Sequence, residues 1–78
     1  MKGLTARQAE IMKYIITYRE TSGISPSFRE IAERFEISLH TAQEITGCIR
    51  KKGLIAWEAS KARTIKVVLP PLQNSHLV

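Results

Sequence analysis

Apolar residues in the first third of the chain recur at helical spacing: Ile11, Met12, Ile15 and Ile16, with Tyr18 or Arg19 one turn further on. Thr5 precedes this face as an N-cap, and Gln8 three residues later completes a T-x-x-Q capping box. The segment "TSGISP" ends the helix, because Gly23 suits a left-handed C′ position and Pro26 cannot continue a helix. A second capping box, S-F-R-E from Ser27 to Glu30, opens a helix of about nine residues whose inner face is Phe28, Ile31, Ala32 and Phe35. "EIS" then turns the chain, with Ile37 filling the corner and Ser38 capping a third helix that runs to about Lys52, with Gly53 as its stop. Ala42, Ile45 and Ile49 are its expected buried stripe.

After Gly53 the period changes from helical to strand-like. "LIAWE" and "RTIKVVL" are rich in β-branched and aromatic residues, and the polar "ASKA" lies between them. This predicts a two-stranded hairpin with a basic loop. A lone hairpin is marginal in water, so Trp57, Ile65 and Val67 are expected to pack on the helices. Pro70 and Pro71 end the second strand, and residues 70–78 are expected to be a flexible tail after one domain over residues 1–69. The fold class is mainly α with a small β-hairpin, in the order of a winged helix-turn-helix.

Charge sharpens this picture. The formal net charge is +5, and its placement is uneven. Residues 1–49 hold six basic and six acidic side chains, whereas residues 50–78 hold six basic ones against Glu58 alone. Positive charge gathered in one region is the electrostatic footprint of a polyanion, nucleic acid being the commonest. The third helix stands apart: from Ser38 to Ile49 it has no Lys or Arg, and it carries Glu44.

Other chemistries find little support. One cysteine, Cys48, allows no internal disulfide and no multi-Cys zinc site, and with only His40 and His76 no local metal-ligand set forms. Cys48 is expected to be a small buried residue of the third helix. No Ser–His–Asp or Cys–His set, phosphate-cradling Gly-rich loop or paired carboxylate is present, so neither an enzyme nor a cofactor is expected. No stretch approaches the length of a membrane span, and the N-terminus lacks the apolar core of a signal peptide, so a cytoplasmic protein is expected.

In a winged helix-turn-helix the third helix fits the major groove, the second lies across the backbone, and the hairpin reaches phosphates or the minor groove alongside. Double-stranded DNA is therefore the expected partner. Ser38, His40, Thr41, Gln43 and Glu44 are the candidate base readers: His40 and Gln43 donate and accept at base edges, Ser38 and Thr41 reach bases or phosphate, and Glu44 accepts from a cytosine amino group. Thr5 and Arg7, Ser27 and Arg29, Lys52, and the wing residues Lys61 and Arg63 are the candidate backbone anchors. Gly47 costs about 1 kcal/mol against Ala inside a helix, which points to a close approach there. The competing reading, favoured by the near-neutral third helix, is a winged-helix module that binds another regulatory protein.

The segments "LTARQAEIMKYI", "SPSFREIAERFEIS" and "IRKKGLIAWEASKARTIKVV" resemble the N-terminal DNA-binding domain of LexA, the repressor of the bacterial SOS response. The likeness covers residues 2–69 and rests on the L-T-x-R-Q opening, the P-S-x-R-E-I-A stretch, and the K-G-L-I plus A-R-x-I-x-V wing. It implies a transcriptional repressor that recognises operator DNA as a dimer on a two-fold symmetric site. LexA proteins also carry a self-cleaving C-terminal domain with a Ser–Lys pair that supplies dimerisation. Neither property carries over to these 78 residues, which are either an excised domain or, the favoured expectation, a stand-alone small protein of phage, plasmid or chromosomal origin. "SLHTAQEITGC" follows no single LexA pattern, which leaves the operator open.

Overall fold

A computed structural model of the chain describes residues 3–68. Three helices are followed by a short antiparallel hairpin: α1 (Ala6–Ser22), α2 (Phe28–Phe35), α3 (Leu39–Lys51), β1 (Ile55–Ala56) and β2 (Lys66–Val67). The winged helix-turn-helix expected from the sequence is present. The expected tail over residues 70–78 and the Pro70–Pro71 stop lie outside the described residues.

Both capping boxes form. The Thr5 hydroxyl accepts from the Gln8 backbone N–H at 3.2 Å and Gln8 Oε1 accepts from the Thr5 N–H at 3.2 Å. Ser27 and Glu30 reciprocate in the same way at 3.1 and 2.9 Å, which satisfies backbone donors that the first turn of a helix leaves without partners. Gly23 ends α1 with φ 78°, in the left-handed region that a side chain resists, and donates its N–H to the Arg19 carbonyl at 2.9 Å. The turn between α2 and α3 uses Glu36 at φ 56° for the same purpose. Ile37 then donates its N–H to the Ala32 carbonyl at 2.9 Å, and its half-buried side chain packs on the core at the corner.

Ile11, Met12, Ile15, Ile31, Ala32, Ala42, Ile49, Ile55 and Ile65 form a single apolar cluster that draws on all three helices and both arms of the hairpin region. Each isoleucine sealed there contributes roughly 1.5–3 kcal/mol of transfer free energy, which is what makes so thin a core sufficient. The hairpin is held to this core by Ile65 and the partly buried Trp57 and Val67, as expected from the sequence, and also by Ile55.

Three expectations fail, each for a local reason. The buried stripe of α3 is Ala42, Thr46 and Ile49, with Ile45 only half-buried at its flank. Thr46 is tolerated there because its hydroxyl donates to the Ala42 carbonyl of the same helix at 2.8 Å. Cys48 is exposed, since about 100° of rotation per residue carries it off the face that Ile49 buries. The paired strands are two residues each, much shorter than "LIAWE" and "RTIKVVL". Between them the Thr64 hydroxyl accepts from the Glu58 N–H at 2.9 Å and donates to the Glu58 and Lys61 carbonyls at 3.2 and 3.3 Å, so side-chain bonds replace the ladder.

Candidate nucleic-acid interface

The first turn of α3 carries most of the candidate base readers. Ser38 caps it, accepting from the Thr41 N–H at 3.0 Å while its own hydroxyl donates to Thr41 Oγ1 at 2.8 Å. Both hydroxyls are thereby tied into the cap, and Thr41 is half-buried. His40, Gln43 and Glu44 stand free of the core. His40 Nε2 lies 3.2 Å from Glu44 Oε2, one helical turn on, with side-chain exposures of 80% and 64%. The two side chains thus offer a donor and an acceptor side by side on the outer face of α3.

Two further residues share this outward surface. Leu39 at the first helical position is 44% exposed, an apolar group placed where a thymine methyl could be met. Lys51 is exposed and follows Glu44 by seven residues, two turns along the same face. The helix thus carries no cation in its first three turns and two, Arg50 and Lys51, in its last. Counting seven from Glu44 would have found Lys51 in the sequence. Leu39 gave no signal, because a leucine in a helix is ordinarily read as part of its buried face.

The candidate backbone groups fall into three places. Lys52, just beyond α3, reaches the start of α1: its Nζ donates to Gln8 Oε1 at 2.9 Å and to the Gly3 carbonyl. Lys52 and Thr5 therefore form one cluster, with a lysine ammonium beside a helix N-terminus. Arg7, the second residue of α1, lies with its guanidinium 5.6 Å from the Phe35 ring centroid. Ser27 and the exposed Arg29 mark the start of α2.

Ser27 meets the wing across a surface cleft of about 240 Å³, whose walls include Gln43 of α3, Trp57 and Lys61. A candidate base reader, a helix N-terminus and a wing cation thus border one hollow. Trp57 fixes its floor: the indole packs edge-on against Phe28 with centroids 5.2 Å apart, and the Arg50 guanidinium lies 4.5 Å from its centroid. Arg50 is in this way committed to α3–wing packing as well as to the helix C-terminus.

Arg63 sits differently from Lys61. Its Nη1 is 2.8 Å from Glu30 Oε1 and donates at 3.2 Å to the Tyr18 hydroxyl and to the Ser25 carbonyl. Tyr18 in turn donates to Glu30 Oε2 at 3.0 Å. The Ser27 backbone N–H and then Arg63 hold the Glu30 carboxyl well below its ordinary range, at about 2. Lys61 and Lys66 are exposed, and no carboxylate pairs with either among the described residues. Those residues also contain no cluster of three or more His, Cys, Asp or Glu able to hold a metal, and no helix long and apolar enough to cross a membrane.

Residues 1–64 match the LexA DNA binding domain family model. Relatives include LexA repressors from Koribacter versatilis, 38% identical over 90% of this chain, and Thermotoga neapolitana, 40% identical over 86%. One from Thermosipho africanus is 35% identical over 91%. The chain spans about a third of the length of these relatives, 34–36% of each. By the extent of that match and the three-helix, one-hairpin fold, the chain belongs to the LexA DNA-binding-domain family.

Proposed function

We propose that this chain binds double-stranded DNA sequence-specifically and acts as a LexA-like transcriptional repressor, with α3 in the major groove and the wing on the adjacent backbone. The observation that carries the reading is the shared border of Gln43, the start of α2 and Lys61, which faces base-reading and phosphate-binding chemistry toward one surface. The division of labour follows from the chemistry. His40, Gln43 and Glu44 supply the polar edges, with Ser38 and Thr41 holding the turn that presents them. Thr5, Arg7, Ser27, Arg29, Lys52 and Lys61 supply attraction to phosphate without regard to sequence. A module this small covers a half-site, so tight binding needs a second copy on a two-fold symmetric operator.

The test is a mobility-shift assay on random duplex fragments over a range of salt. Binding at low salt that weakens steeply as salt rises is expected, with log K falling linearly in log salt. Absence of binding at low salt, where sequence-independent attraction is strongest, would contradict the reading and favour a protein partner.

A further inference from the structure

We propose that Arg63 is a positioning residue of the wing rather than a phosphate ligand, and that with Glu30 and Tyr18 it forms a strut that sets the wing against the reading helix. This rests on the DNA-binding reading above. Three acceptors from three parts of the chain converge on Arg63 Nη1: Glu30 of α2, Tyr18 of α1, and the carbonyl of Ser25 between those helices, a residue only 1% exposed. Arg63 itself lies at φ 58°, a left-handed conformation that a non-glycine residue keeps only when its surroundings hold it. The wing is drawn the same way from a second point, where Arg19 of α1 donates to the Ile65 carbonyl at 2.8 Å.

Glu30 is the hub of this arrangement. Its Oε1 accepts from the Ser27 N–H at 2.9 Å and also faces Arg63 at 2.8 Å. One carboxylate oxygen therefore joins the N-terminus of α2 to the turn of the wing. Both border the cleft that holds Gln43 and Lys61, so a shift of Arg63 moves Lys61, two residues away, relative to α3. The Arg63 charge is matched by Glu30 and its Nη1 is taken up by protein acceptors, whereas Lys61 has no carboxylate partner among the described residues.

Charge alone and positioning predict opposite signs for one substitution. Glu30→Gln keeps an acceptor for the capping box but removes a negative charge from a DNA-facing region. If Arg63 were a phosphate ligand, freeing it in this way would tighten binding. The strut predicts that Glu30→Gln and Arg63→Gln each weaken binding about 3–10-fold, and that the double variant is no weaker than the worse single one, as for residues acting as a unit. Arg63→Lys keeps the charge that a phosphate would use but loses the planar fork, and is expected to behave like Arg63→Gln. In the free protein, backbone order parameters over residues 58–64 fall in all three variants, while thermal melts verify that each is folded.

The proposal is overturned if Glu30→Gln tightens binding, if Arg63→Lys binds as the wild type does, or if wing order is unchanged. If the wild type binds no duplex even at low salt, the parent reading fails, and the order parameters alone decide the strut: loss in all three variants supports it and no change overturns it.

Discussion

Gly47 lies on the outward side of α3, three residues past Glu44 and seven past His40, where a side chain added at its Cβ would meet no atom within 4 Å. The close approach that a mid-helix glycine suggests is therefore not made within the described residues. It is the kind of gap that a groove wall would fill. Gly47→Ala is expected to stabilise the free protein by about 1 kcal/mol, a rise in Tm of roughly 4–8 °C for a domain of this size, measured by thermal unfolding. The same methyl group is expected to weaken DNA binding, and an unchanged affinity would show that α3 is not pressed against the groove at this point. Individual residues were the least legible level of the sequence. Cys48, expected in the core because hydropathy ranks its sulfur as apolar, is turned outward by the helix, while Thr46, absent from the expected stripe, is buried because geometry offers its hydroxyl a carbonyl in its own helix.

At the scale of elements the sequence is far more informative, because the signals are chemical rather than statistical. Each helix start is a Ser or Thr cap, and two are full boxes with a Gln or Glu that the backbone geometry requires three residues on. The hairpin is where legibility ended: a strand period cannot reveal that Thr64 will tie up the Glu58 backbone or that Arg63 will turn left-handed. That requires knowing which helix faces the wing. Glu30, which reads in sequence as a capping partner alone, is found to hold both α2 and the wing, and its stability contribution depends on pH. Its carboxyl titrates at about 2 in the folded chain, below the ordinary 4.5, so the contribution is present above about pH 4.5 and is lost as pH falls toward 2. Denaturant unfolding at pH 5 and at pH 2.5 measures this. Wild type is expected to lose more stability between the two than Glu30→Gln does, and equal losses would show that Glu30 contributes nothing on ionisation.

For the whole molecule, the arrangement of charge carries the argument. The sequence places its excess of cations after Ile49, and the fold distributes them around α3 rather than along its first turns: Lys52 beside the start of α1, Arg50 on Trp57, Lys61 at the cleft, and Lys51 at the far end of the outward face of α3. In the proposed docking, a neutral first turn of α3 framed by cations would separate what gives affinity from what gives specificity. The most direct measurement is selection of preferred duplexes from a random pool by the wild type, by His40→Ala with Gln43→Ala, and by Lys61→Ala, with the salt dependence of each. The His40 and Gln43 variant is expected to select a different or degenerate sequence with its salt slope unchanged. Lys61→Ala is expected to select the wild-type sequence, more weakly, with the slope reduced by about 0.9. If the His40 and Gln43 variant selected the wild-type sequence, α3 would not be the reading helix.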